Sequence, residues 1–457
     1  MTPYSVQVAT PVYRSSDEGI AVFSEALNSV VVKEQISMVE RLHKSVQFAE
    51  MGLFLLLLVT LANPSLAFGA DNKKKKSNEP EKVVSALDGI DKSRIVWPQP
   101  PNIARVKYLD FFAGEKLPDF NSKPAKSKNA WMDRLAGTTA NKGDDPLKNH
   151  FFLGEPHGLA VDSKGKLYVA DSKVGAIFIF DPETHDTQMI MNGRHANFAL
   201  IMGLAIDDSD KLFVADSQAH AVLIFGADHR QESVLREGMV NPTGLAIDTE
   251  NRFLYVADIG LDQILVYDAD NLNLIRKIGT PGTKHTSSKP GDFAKPTGVA
   301  VDAEGNVYVS DTLNARIEVF DADGNFIRAF GKRGDGPGYF AMPKGVAVDT
   351  DGHIWVTDSM QNRIQLFSAE GELLMFIGSV QGKLPGQFSG LQGITIDKSN
   401  RVFTSEVFPG RTQEFRYVTQ SEAKAEFDRR EAEKKARQAG SGSATSTKLG
   451  EKAEPSK

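Results

Sequence analysis

The phrase Gly158-Leu-Ala-Val-Asp162 returns five times, as Gly203-Leu-Ala-Ile-Asp207, Gly244-Leu-Ala-Ile-Asp248, Gly298-Val-Ala-Val-Asp302, Gly345-Val-Ala-Val-Asp349 and Gly393-Ile-Thr-Ile-Asp397. Successive copies begin 45, 41, 54, 47 and 48 residues apart, periods at which repeats build propellers or solenoids. A turn and a second apolar run follow each phrase, such as Leu167-Tyr-Val-Ala-Asp171 or Val307-Tyr-Val-Ser-Asp311. A third follows, Ala176-Ile-Phe-Ile-Phe180 or Arg316-Ile-Glu-Val-Phe320, and in most units a fourth, such as Phe326-Ile-Arg-Ala-Phe330. Four short antiparallel strands joined by Asp/Asn/Gly turns make one propeller blade. The sequence therefore predicts an all-β chain, a six-bladed β-propeller of four-stranded antiparallel blades. The sixth unit ends at residues 411–417 without a fourth strand. The strand at residues 105–112 has no other partner and is predicted to fill that place, closing the ring and removing an open edge.

Outward from the repeats (residues 154–418) lie an expected insertion at 118–149, with a short helix around Trp131, and a basic, Pro-rich linker at 68–103. Residues 1–67 read as an N-terminal extension with a secretory signal: an apolar core at 51–62, a basic flank at Arg41, His43 and Lys44, and small residues at Ser65 and Ala67, with cleavage expected after Ala67. Twelve helical residues rise about 18 Å, less than a bilayer core, so an uncleaved inner-membrane anchor is the alternative and membrane contact is expected only through the signal. After the repeats come a charged helix at 419–440, expected to stop at Gly440, and a disordered tail at 441–457.

The chain has 457 residues, a net charge of −6 and no cysteine. Disulfide frameworks, Cys-ligated metal, c-type haem attachment and a thiol nucleophile are thereby excluded. The repeats are acidic and the flanks basic, an arrangement that argues against nucleic acid as partner. No Gly-x-Ser-x-Gly, phosphate loop or His-Glu-x-x-His occurs.

The units resemble NHL repeats in their Pro-x-Gly-hydrophobic-Ala-hydrophobic-Asp opening, in the Asp that ends the second strand, and in Asp311-Thr-Leu-Asn-Ala-Arg-Ile317 and Asp358-Ser-Met-Gln-Asn-Arg-Ile364. The resemblance covers about residues 150–418. It implies the propeller fold and leaves the activity open, since NHL propellers serve as enzymes, sensors, RNA binders and scaffolds. Similar exported bacterial proteins accompany cell-envelope assemblies, so the resemblance implies a periplasmic or cell-surface location.

Asp residues recurring in every blade are expected to hold turns, and Asp311 with Arg316, and Asp358 with Arg363, to clamp adjacent strands. The informative positions are those where blades differ. Just before each opening Gly stand His157, Met202, Thr243, Thr297, Lys344 and Gln392, which strand geometry sets around one mouth of the channel as a candidate ligand-binding ring. Arg316, Arg363 and Lys344 together are a candidate cationic mouth. The peptidyl-amidating lyases resemble this chain through Glu155-Pro156-His157-Gly158-Leu159 and hold zinc with three His in such contexts; here only His157 matches, and His195, His220 and His229 fall in turns and loops away from the mouth. One imidazole beside a Lys ammonium does not make a catalytic zinc site, so no metal, cofactor or catalytic residue is expected. The reading is a monomeric, exported, non-catalytic propeller that binds a protein or other macromolecule as scaffold or accessory component. The alternatives are a metal-dependent lyase or hydrolase working at the mouth, and a small-ligand sensor using Lys344 and His157.

Overall fold

The computed structural model describes residues 90–114, 151–193, 196–280, 289–378 and 380–446. The expected signal, most of the linker, the insertion at 118–149, His195 and residues 447–457 lie outside the described residues.

Six antiparallel sheets surround a central channel. Blade 1 sets the pattern, with an inner strand Pro156–Val161, a second Leu167–Asp171, a third Ala176–Phe180 and an outer Thr187–Met191, paired in that order. The later inner strands are Ile201–Ile206, Pro242–Asp248, Pro296–Val301, Pro343–Val348 and Leu391–Ile396, each beside the next, and the last returns to the first. Second strands such as Val307–Asp311 are buried along their whole length because a neighbouring blade covers each side, whereas outer strands such as Leu373–Gly378 alternate with solvent. The core accordingly lies between blades: Val266, Phe293 and Phe320, for example, join blades 3 and 4.

The glycine that opens every repeat has one cause. A β-carbon at Gly158, Gly203, Gly244, Gly298, Gly345 or Gly393 would lie 2.6, 1.9, 2.6, 2.4, 3.1 or 2.4 Å from the carbonyl oxygen of Met202, Thr243, Thr297, Lys344, Gln392 or His157 respectively. Each glycine thus seats the backbone of the following blade, and Gly393 on His157 completes the circle. Only a residue without a side chain permits that approach.

A second repeated lock sits between blades 3 to 6. The Pro-Gly loops at 290–291, 337–338 and 385–386 deliver Phe293, Phe340 and Phe388 into full burial. Each ring packs on the glycine at the end of the preceding outer strand, Gly279, Gly331 and Gly378, all at positive φ. One third-strand residue reads each loop: the amides of Gly291, Gly338 and Gly386 donate to Glu318, Gln365 and Gln413 at 2.8, 3.0 and 2.9 Å.

Ring closure follows the expected route. Val106–Phe112 pairs antiparallel with Arg411–Tyr417, Val106 opposite Tyr417 and Phe112 opposite Thr412. Phe112 stacks on Phe180 of blade 1 at 5.3 Å, so the added strand also seals the seam between blades 6 and 1. The structure adds a fifth strand, Val96–Trp97, outside this one, inside the stretch that the sequence presents as a Pro-rich linker. Trp97 meets Phe415 edge-on at 5.9 Å. The helix runs Gln420–Ser446, past Gly440, because a lone glycine costs a helix only about 1 kcal/mol and does not stop it as proline does.

Candidate functional site: the channel mouth

The first residue of each inner strand pairs with the carboxylate that ends the second, as in Pro296 with Asp311 and Pro343 with Asp358. These carboxylates are buried and turned toward loop amides: Asp171 accepts from Gly154, Glu155, Lys173 and Val174, and Asp358 from Ala341, Met342, Met360 and Gln361. They fix the rim and leave its interior to the residues before the glycines.

Those residues meet. His157, Met202, Thr243, Thr297, Lys344 and Gln392 line one cavity of about 180 Å³, floored by the six glycines and bordered by Ile259. Their side chains divide by what they bond. The Thr243 hydroxyl donates to Ala257 O at 3.1 Å and that of Thr297 to Lys344 O at 3.0 Å, so both serve the backbone ring. Thr357 and Ser405, from second strands, do the same: Thr357 Oγ1 donates to Gln392 O at 2.6 Å and Ser405 Oγ to His157 O at 2.5 Å, while each accepts the amide of the neighbouring glycine, Gly345 or Gly393. Reading the sequence missed these two; the signal was a hydroxyl in blades 4 to 6 where blades 1 to 3 carry Ala170, Ala215 and Ala257. Gln392 Nε2 donates to Gly390 O at 3.3 Å, which uses one of its two N–H groups; its other N–H, with His157, Met202 and Lys344, remains to address a ligand.

Lys344 is the one formally charged side chain of the lining. Burial lowers its ammonium pKa. Burial also lowers that of His157, against the opposing pull of Glu155 and Asp171, and Lys344 pushes it the same way, so the imidazole is held neutral at pH 7.

The expected clamps come out unequal. Arg316 Nε donates to Asp311 Oδ2 at 2.8 Å, and its guanidinium also contacts Glu318. Asp358 and Arg363 are cross-strand neighbours, but the pairing expected between their side chains is replaced: Arg363 donates to the carbonyl of Gly336 at 3.0 Å and lies over the Phe376 ring, because the Asp358 carboxylate is filled by amides. Neither arginine lines the cavity, so the cationic mouth reduces to Lys344. His220 contacts the Val240 carbonyl and His229 bonds the Tyr168 hydroxyl at 2.9 Å, both away from the mouth. No cluster of three His, Asp or Glu able to hold a metal occurs among the described residues. The zinc of the amidating lyases does not fit this ring, where five of the six positions lack an imidazole.

Three protein families match parts of the chain: the NHL repeat at residues 153–180, the SMP-30/Gluconolactonase/LRE-like region at 213–331, and a 6-bladed beta-propeller family at 298–374. A probable peptidyl-alpha-hydroxyglycine alpha-amidating lyase of Caenorhabditis elegans is 36% identical over 90 residues, 19% of this chain and 24% of that protein. Protein brain tumor of Drosophila melanogaster is 48% identical over 44 residues, 10% of this chain and 4% of that protein. The chain therefore spans a quarter or less of these relatives. Among solved structures, a streptogramin B lyase superposes with a TM-score of 0.45 at 14% identity, covering 58% of this chain and 94% of that one. Hydrazine synthase of Kuenenia stuttgartiensis superposes at 0.43 and 12%, covering 61% and 99%. With its six in-phase repeats, its ring of six sheets and these family matches, the chain is an NHL-repeat six-bladed β-propeller protein.

Proposed function

We propose that this propeller is a non-catalytic binding module, exported to the cell envelope, that serves as scaffold or accessory component by engaging a protein partner through its mouth face. The observation that carries the reading is where apolar side chains are left in water. Met360, Val380 and Phe408, 65, 64 and 63% exposed, are the three most exposed large apolar side chains among the described residues, and all sit on connections of blades 5 and 6 that the strand directions place at the mouth end. Neighbouring exposed apolar groups mark an interaction surface, and their chemistry suits an apolar protein surface. Export is supported by the apolar core at 51–62 with the small residues Ser65 and Ala67. Affinity purification of the full chain from its native envelope tests the reading: a stoichiometric partner lost in a Met360→Asp/Phe408→Asp double variant supports it, and a partner retained by that variant refutes the assigned face.

The lyase alternative draws on the amidating-lyase match and on His157. It requires stoichiometric metal in the purified protein and loss of that metal in His157→Ala.

A further inference from the structure

The mouth cavity carries a charge that nothing around it answers. Among the described residues Lys344 Nζ has no hydrogen-bond or ion-pair partner, and burial alone moves its pKa; the carboxylates at the rim act on His157 instead, Asp171 being filled by backbone amides and Glu155 standing exposed. An ammonium drawn partly out of water without a counter-ion is costly and gains from any anion that reaches it. The ring order matters here. Lys344, Gln392 and His157 come from blades 5, 6 and 1, which are consecutive, so one arc of the mouth offers an ammonium, an amide and an imidazole side by side. Met202 and Ile259, from blades 2 and 3, form an apolar wall across from it, while the hydroxyls of Thr243 and Thr297 are already spent on the backbone.

We infer that the mouth binds a small organic carboxylate, its head on the Lys344–Gln392–His157 arc and its apolar remainder against Met202 and Ile259. One ammonium beside one imidazole matches a monoanion; a phosphate dianion would bring a second charge that the lining does not balance. A cavity of about 180 Å³ suits a short-chain acid. Gln392, through the N–H not given to Gly390 O, and His157 contribute donors to the two carboxylate oxygens, and charge-assisted bonds of this kind are the strong ones. The site stands independently of the partner-binding reading, which rests on exposed side chains outside the cavity.

Calorimetric titration of the full chain at neutral pH with sodium butyrate, butyramide and sodium phosphate tests it. Expected are one-to-one binding of butyrate, no detectable binding of butyramide, and phosphate at least about tenfold weaker. Lys344→Met is expected to weaken butyrate at least about tenfold. Gln392→Glu guards against a misfolded first variant: it supplies the missing carboxylate from within, so it should raise the melting temperature and abolish butyrate binding together. Butyrate bound within about twofold of wild type by either variant, phosphate preferred over butyrate, or no butyrate binding by the folded wild-type chain would each overturn the assignment.

Discussion

The α-carbon of Gly203 faces the carbonyl oxygen of Thr243 so closely that a β-carbon would stand 1.9 Å from it, the tightest of the six inter-blade seats. Since both partners are inner-strand backbone, relief requires moving one blade against the next. Gly203→Ala is expected to cost about 3 kcal/mol, at the upper end for overpacking. Gly336→Ala, whose β-carbon would meet Tyr339 at an ordinary 3.4 Å, should be near neutral. Urea denaturation of the pair measures the contrast.

Glu414 occupies a position that is apolar in every other blade: Ile179, Ile224, Val266, Val319 and Leu366. It faces the seam between blades 6 and 1, where burial pushes its pKa up to about 7, with Arg401 at 3.9 Å as a partial counter-charge. Burial likewise raises Glu318 to about 7. A carboxyl raised in the fold favours its protonated form there. Its contribution is therefore complete below the ordinary value of 4.5 and is lost as pH rises through about 7. Stability should fall between about pH 5 and about pH 8, and Glu414→Leu and Glu318→Gln should each recover about 1–3 kcal/mol at the higher pH. The glutamine change copies Gln365 and Gln413, which hold the same loop amide without charge. Equal denaturation midpoints for wild type and the double variant at the higher pH would contradict this.

Asp311 is fully buried and accepts from Ala294 N, Asn314 and Arg316 at once. Asp311→Ala strands the buried Ala294 amide, while the Arg316 guanidinium keeps Glu318 and the Lys289 carbonyl, and is expected to cost about 2–3 kcal/mol. Arg316→Ala leaves Asp311 its two other donors but takes the counter-charge from buried Glu318 as well, so its cost should shrink in the Glu318→Gln background, whereas that of Asp311→Ala should not. The denaturation midpoints of the two single variants, with and without Glu318→Gln, are the check.

Phe112 joins the closing strand to blade 1 through its stack on Phe180. Phe112→Ala should cost about 3–5 kcal/mol, and a chain begun after residue 112 should expose the edge of Arg411–Tyr417 and self-associate. Light scattering behind size-exclusion chromatography would report the mass.

The repeats and the closing strand were legible because period and alternation are backbone properties that every blade declares several times over. The six mouth residues were legible for the same reason, since the glycine beside each marks its register. What escaped were departures within the pattern whose meaning depends on a neighbour. Glu414 reads as one more polar residue in a third strand until the fold puts it in an apolar seam. Arg363 copies the spacing of Arg316, yet Asp358 has no lone pair to spare. Val96–Trp97 is too short to show alternation, and its pairing with the closing strand is a tertiary fact.

The bond between Thr412 and Phe112 spans 300 residues, and this separation has a consequence in time. At about 5–20 residues per second of synthesis, the first partner waits roughly 15–60 s on the ribosome before the second exists. Five blades can pack during that wait, but they form an arc with two raw ends. Until the closing pair forms, those ends are open strand edges of the kind that pair with other chains, so the interval before closure is when the chain is most exposed to aggregation.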